Sequence, residues 1–345
     1  MTFQIQLTTR DEQQLSFDCA PGQDLLTAAA AANIMLPSQC RKGSCGACHA
    51  AVTHGDYQMG EYNLDALSTD QSSAILMCRT TPCSDLRVSV PYDHTKVLRH
   101  AVPRRSTTIV GLETIAQNTV RLELAISPDA EGGCAAEFEP GQFMEIEIPD
   151  SDERRPYSLA NTSNWEGRLE FLIRLQPNGR FSTFLRERAQ QGERLMVRGP
   201  MGGFGIREGS FRPRWFVAGG TGVAPILSML RRMADFQEMQ EARLFFGVNQ
   251  ESELFLKDEL EELKAQLPQL VVDLCIWRPQ AGWDGFCGTP VDALRVAFAS
   301  TSCQPDVYVC GPPALIRAAE QVAIESGLPP DQFDSERFVS GEAAM

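Results

Sequence analysis

The chain has 345 residues, 43% of them hydrophobic and 22% charged, which fits two or three ordinary globular domains and excludes a disordered chain or a fibrous repeat. A formal net charge of −14 excludes a nucleic acid as partner, because gripping a phosphate backbone takes clustered Lys and Arg, and it permits docking onto a basic protein surface. No apolar stretch approaches the roughly 20 residues that span a bilayer, and Met1-Thr2-Phe3-Gln4 lacks a basic-then-apolar signal pattern, so no membrane is expected and the chain is expected in the cytoplasm.

Residues 3–7 (FQIQL) and 15–17 (LSF) alternate apolar and polar side chains at the strand period, and Asp11-Glu12 between them predicts a hairpin. An alanine-rich helix is expected over 24–32, a loop containing Gly and Ser over 40–48, and a strand over 86–90. Residues 1–97 therefore read as a compact β-rich domain, and the basic, Pro-containing stretch 98–106 reads as a linker. From 107 to 209 strands such as 119–126, 143–149 and 168–175 follow one another with little helix, which predicts an antiparallel β-barrel. In 210–345, short strands at 215–218, 243–248, 271–277 and 306–311 alternate with helical stretches at 224–239 and 253–266. That alternation predicts a parallel sheet with crossover helices, and the whole is a multidomain α+β and α/β chain.

Eleven cysteines, an odd number, are expected as ligands and thiols in a reducing compartment. Cys40, Cys45, Cys48 and Cys78 follow C-x4-C-x2-C-x29-C, the ligand spacing of a plant-type [2Fe–2S] cluster. Such a loop must wrap two irons closely, and Gly43 and Gly46 let backbone N–H groups approach the sulfurs. A structural zinc site more often shows two C-x2–4-C pairs, whereas here the fourth cysteine stands alone. Using Cys83 in place of Cys78 would lengthen the last spacing to 34, and Cys19, Cys134, Cys275, Cys287 and Cys303 read as thiols without a role.

Arg155-Pro156-Tyr157-Ser158 offers a cation for a diphosphate, an aromatic face for a flavin ring and a small donor for its N5 edge. Downstream, Gly179-Arg180-Phe181-Ser182 reads as a glycine turn opening a helix whose free N–H groups suit the flavin pyrophosphate, and Ile173 and Arg174 are expected to line the same site. Gly219, Gly220, Thr221 and Gly222 end a strand and open a helix, the context of a dinucleotide turn, with Pro225 where the fingerprint has its last glycine. Cys310-Gly311-Pro312-Pro313 ends another strand at the edge where parallel sheets bind ligands, and its thiol is expected beside the nicotinamide. Asn249 to Glu253 carries acids and no cation, which favours NADH over NADPH, with Lys257 as the one nearby residue that argues otherwise.

Only four histidines occur, with no E-x-x-H and no second Cys/His pair for a Rieske centre, so the electrons are expected to leave for another protein. The order cluster, R-x-Y-S, G-x-x-S, GGTG-x-x-P and CGPP resembles the ferredoxin–NAD(P)H reductase superfamily with an N-terminal plant-type ferredoxin domain, over nearly the whole chain. Within it, FEPGQF (138–143), GRLEFLIRLQPNGRFS (167–182), FVAGGTG (216–222), DVYVCGPP (306–313) and ERF (336–338) are similar to the reductase components of soluble methane and related short-chain alkane monooxygenases. The resemblance implies a β-grasp-like ferredoxin domain, FAD, NADH as donor, a di-iron hydroxylase as acceptor, and Glu336 and Phe338 near the flavin. Reductases of benzoate- and anthranilate-type Rieske dioxygenases share the layout and stay open as an alternative, as does a flavin and iron–sulfur redox sensor. NADH yields a two-electron hydride and the cluster takes one electron, so a flavin is expected between them, with Ser158, Cys310 and Glu336 as the candidate catalytic residues.

Overall fold

The computed structural model describes residues 2–67, 73–129, 133–301 and 303–338, in two compact units, one built on Met1–Pro103 and the other on Arg104–Pro200 with Phe204–Phe338. In the first unit, β1 (Phe3–Thr8) and β2 (Gln14–Cys19) pair antiparallel around a turn in which Glu12 takes φ +61°. Their alternation sends Ile5, Leu7, Leu15 and Phe17 to one face, where α1 (Leu25–Ala31) lays Leu25, Leu26, Ala28 and Ala29. Asp24 starts this helix by accepting a hydrogen bond from the N–H of Thr27. β3 (His49–His54), β4 (Tyr57–Met59), β5 (Ala74–Leu76), β6 (Thr80–Pro82) and β7 (Leu86–Ser89) follow. The main sheet runs β2-β1-β7-β3-β5, with β1 and β7 parallel, and β4 pairs with β6 apart from it. A mixed sheet holding one helix is the β-grasp arrangement anticipated above.

The second unit opens on β8 (Arg104–Ala116), so three residues of the stretch read as linker are strand. Pro103 cannot donate to a ladder and marks the break, while Arg104 and Arg105 pair with Arg198 and Val197. β9 (Thr119–Ile126), β10 (Phe143–Glu147), β11 (Arg154–Ser158), β12 (Arg168–Arg174), α2 (Arg180–Glu187) and β13 (Arg194–Met201) complete a sheet ordered β11-β10-β13-β8-β9-β12. An antiparallel bridge from Leu159 to Phe171 joins its two outer strands, closing the barrel.

The nucleotide lobe consists of β14 (Arg214–Gly219), α3 (Val223–Asp235), β15 (Ala242–Val248), α4 (Lys257–Gln266), β16 (Leu270–Ile276), β17 (Phe286–Cys287), α5 (Pro290–Ala299), β18 (Asp306–Gly311), α6 (Pro313–Glu325) and β19 (Phe333–Arg337). All neighbours in the order β17-β16-β15-β14-β18-β19 are parallel. Along β14, Phe216 and Ala218 face α3 and α4 while Trp215 and Val217 face α5 and α6, so the strands are apolar on both sides. The order reverses between β14 and β18, the crevice where such sheets take ligands.

Barrel and nucleotide lobe are not separate bodies. Ala160, Leu172 and Phe204 from the barrel side share one buried core with α3 and α4. Polar ties run beside it: Ser228 Oγ donates to the Asn161 carbonyl at 2.6 Å, and Arg231 donates to the Ala160 carbonyl at 3.0 Å and to Glu170 at 2.7 Å. No helix among the described residues is long and apolar enough to cross a membrane.

Candidate active site

Within the first unit the loop between α1 and β3 carries Cys40, Cys45 and Cys48, and the single turn Met77–Arg79 between β5 and β6 brings Cys78 to them. Cys45, Cys48 and Cys78 are buried and Cys40 is half-buried, and each thiol lies against another. The N–H groups of Lys42 and Ser44 both reach Cys40 Sγ at 3.4 Å, and the N–H of Cys40 reaches Cys45 Sγ at 3.5 Å. Gly43 and Gly46 take φ +78°, the left-handed geometry that turns these amides inward. The hydrogen bond from Cys45 pulls the Cys40 thiol down to about 4, and the same contact together with burial pushes Cys45 up. Cys78 is likewise lowered, first by Cys48, while Cys48 is raised. Converging sulfurs with inward amides fit a cluster that needs thiolates and N–H donors. Cys83 sits exposed on a turn held by the Asp56 carbonyl.

In the second unit, β11 places Tyr157 with its ring centroid 5.6 Å from that of Phe181, which in turn stacks on Phe184 at 5.8 Å. Arg155 and Arg180 share one acid, Glu153, at 2.6 and 2.7 Å. Two cations on one carboxylate leave net positive charge where a pyrophosphate is expected, and neither Glu153 nor Arg180 was singled out from the sequence. Gly179 caps α2, and Ser182 Oγ accepts from the N–H of Gln176 at 2.9 Å, fixing the turn. Ile173 points into the barrel core and is 1% exposed, and Arg174 projects outward to Glu253 at 3.6 Å. Pro156 lies between the two motif side chains, opposite Glu145 on β10.

Gly219 ends β14, and Gly220, Thr221 and Gly222 form a single tight turn into α3, whose first turn accepts Pro225. The turn is pressed against the end of β18: a Cβ on Gly222 would stand 2.3 Å from the carbonyl oxygen of Cys310. Next to it, Gly311 leads into Pro312, which caps α6, and the carbonyl of Gly311 accepts from the N–H of Phe338 at 3.0 Å. The acids expected near the ribose are committed to backbone: Glu251 accepts from the N–H of Gln280 at 2.9 Å and Glu253 from that of Asn249 at 3.1 Å. Lys257 stacks over Trp283 at 5.2 Å. Arg278, which follows β16, donates its backbone N–H to the Asn249 carbonyl at 3.0 Å, while its guanidinium lies over Trp277 at 4.4 Å.

The two motifs meet at Glu336. Parallel pairing sets Cys310 opposite both Ala218 and Glu336, and Ser158 Oγ donates to Glu336 Oε2 at 2.9 Å across 178 positions of sequence. Glu336 and Ser158 are buried, at 7% and 3% exposure. Desolvation raises the Glu336 carboxyl to about 7 against its usual 4.5, outweighing the Ser158 bond that lowers it, and Asp334 adds to the rise. Burial, then the charge of Glu336, pushes the Cys310 thiol well up, so it stays a neutral thiol.

A carboxyl raised in this way is a pH-dependent burden on the fold. Below about 4.5 it is protonated in both states and costs nothing; as pH rises towards about 7 the unfolded chain ionises first, and the penalty is complete above that. Glu336→Gln is therefore expected to unfold on a par with the parent near pH 4.5 and to be the more stable by ~3 kcal/mol at pH 8. Thermal melts at the two pH values check this, and an equal difference at both would show that folding does not raise the Glu336 carboxyl.

With the geometry in place, three family models match: the 2Fe-2S iron-sulfur cluster binding domain over residues 8–83, the oxidoreductase FAD-binding domain over 106–206 and the oxidoreductase NAD-binding domain over 216–321. The chain belongs to the iron–sulfur flavoprotein reductases that form the electron-transfer components of multicomponent oxygenases, and its cofactors are a [2Fe–2S] cluster, FAD and NADH. It is 38% identical to methane monooxygenase component C of Methylosinus trichosporium over 85% of this chain and 86% of that one. It is 33% identical to the anthranilate 1,2-dioxygenase electron transfer component of Acinetobacter baylyi, covering 93% and 92%. The crystal structure of Amycolatopsis cytochrome P450 reductase superposes with a TM-score of 0.73 at 27% identity, covering 97% of this chain and 99% of that chain.

Proposed function

We propose that the chain oxidises NADH and hands single electrons through the cluster loop to the hydroxylase component of a soluble di-iron monooxygenase acting on methane or another short-chain alkane. The observation that supports this partner is the 38% identity to methane monooxygenase component C, above the 33% to the anthranilate dioxygenase component. A flavin bound against Tyr157 supplies the conversion between a two-electron hydride donor and a one-electron acceptor. In this reading Arg155, Arg180, Gly179, Phe181 and Ser182 hold its diphosphate end, and Ser158 offers a hydroxyl to its reacting edge. Gly219 to Gly222, with Gly311 and Pro312, cradle the nucleotide so that Cys310 borders the nicotinamide, and Phe338 stands near the flavin. The Glu336 carboxyl, raised to about 7, gains and loses its proton near neutral pH, one hydrogen bond from Ser158 Oγ. Cys40, Cys45, Cys48 and Cys78 carry the cluster, and the recorded cysteines, all free thiols, accord with a cytoplasmic setting.

The layout equally suits a Rieske dioxygenase as acceptor, which is the second reading, since the anthranilate relative matches over 92% of its own length. The two are separated by following NADH-driven reduction of a purified di-iron hydroxylase and of a purified Rieske oxygenase from the same organism. The hydroxylase is expected to be reduced at least ~10-fold faster at equal concentration, within the range that charge-matched docking commands. Faster reduction of the Rieske protein would overturn the alkane reading and leave the reductase chemistry intact.

A further inference from the structure

We infer that Arg79 sets the working potential of the iron–sulfur cluster, by holding a positive charge against the ligand loop. Arg79 directly follows the fourth ligand, Cys78, and its side chain lies between two loops. On one side its Cγ is 2.9 Å from where a Cβ of Gly43 would stand, so it packs on the residue whose amide points at the Cys78 sulfur. On the other its Nη2 is 3.2 Å from the corresponding position at Gly60, and its Nε donates to the Glu61 carbonyl at 2.7 Å. The loop is tied back by Gly60 N–H to the Arg79 carbonyl at 2.8 Å and Asn63 N–H to the Gly43 carbonyl at 3.0 Å.

The acceptor that anchors the guanidinium is a neutral carbonyl, and among the described residues no carboxylate pairs with it. Other half-buried arginines, Arg121, Arg231 and Arg243 among them, carry ion pairs. Taking up an electron makes a cluster more negative, so a fixed positive charge nearby stabilises the reduced form and raises its potential. The bond to the Glu61 carbonyl and the packing on Gly43 hold that charge at a fixed place beside the ligand loop. Tuning of this kind decides how far electrons move from flavin to cluster, whichever oxygenase takes them.

The test is a redox titration of full-length holoprotein, followed in the visible and by electron paramagnetic resonance. Arg79→Met keeps a long stem and removes the charge; it is expected to shift the equilibrium against cluster reduction roughly tenfold, a fall of about 59 mV for one electron. Arg79→Lys retains the charge and is expected to stay near the parent value. A second pair leaves Arg79 in place: Gly60→Asp sets a carboxylate beside Nη2 and is expected to lower the potential, while Gly60→Asn is not. An unchanged potential in Arg79→Met, or equal falls in Arg79→Met and Arg79→Lys, would overturn the assignment and leave only packing. Should Arg79→Met fail to retain its cluster, equal potentials in Gly60→Asp and Gly60→Asn would overturn it.

Discussion

Cys45→Ser is expected to abolish reduction of a one-electron protein acceptor while NADH-dependent reduction of a small dye by the flavin stays within about twofold of the parent, because only the one-electron step needs the cluster. Cys45 is the buried centre of the ligand loop, its sulfur receiving the N–H of Cys40 and lying against the thiol of Cys40. A serine there is harder, shorter and a poor partner for iron, so the visible and paramagnetic signatures of the cluster should vanish with the protein activity. Stopped-flow reduction of the flavin by NADH, run beside steady-state reduction of the acceptor, makes the comparison on a single preparation. Undiminished acceptor reduction in a cluster-free variant would mean that the electrons leave directly from the flavin.

The second large effect is expected at Gly222. Its missing Cβ is what allows the turn to close on the end of β18: alanine would place a carbon 2.3 Å from the Cys310 carbonyl oxygen and 2.7 Å from its carbon, backbone atoms that cannot swing aside. Gly222→Ala must therefore wedge the two nucleotide-binding motifs apart, and a displacement near 1 Å at a reacting pair costs on the order of 10²-fold in rate. Gly220 provides the control, since it takes φ +55° with nothing within 4 Å of a Cβ, so alanine there meets only the backbone penalty of about 1–2 kcal/mol. Measured as kcat/KM for NADH with flavin content held equal, Gly222→Ala should fall far below Gly220→Ala. Similar values for the two would sink the idea that close approach of β14 and β18 shapes the site.

Local chemistry made much of this legible in the sequence. Ligand spacing names the cluster because four cysteines on one loop and one short turn need no distant partner, and the sequence pattern places β9 and β18 with the bounds seen in the structure. Helix limits were less readable: the stretch 253–266 becomes a helix only from Lys257, because Leu256 takes φ +65° and breaks the run. The stretch 224–239 stops at Asp235, after which Gln237 at φ +51° turns the chain. What escaped was non-local. β19 reads FDSER, too polar to announce a strand, and it exists because Val307 to Gly311 supply a ladder for it. The bond from Ser158 to Glu336 depends on that strand, so only the resemblance pointed to Glu336. The sharing of Glu153 by Arg155 and Arg180 likewise joins a strand and a helix that no periodicity connects.

The core shared by the barrel and the nucleotide lobe has a bearing on how such a chain can be taken apart or reassembled. Cutting near residue 209 would strip α3 and α4 of the cover that Ala160, Leu172 and Phe204 give them, and would uncouple Arg231 from the Ala160 carbonyl. β8 itself begins directly after Pro103, at Arg104. In gene fusion and laboratory shuffling the flavin and nicotinamide halves must therefore be inherited as a pair.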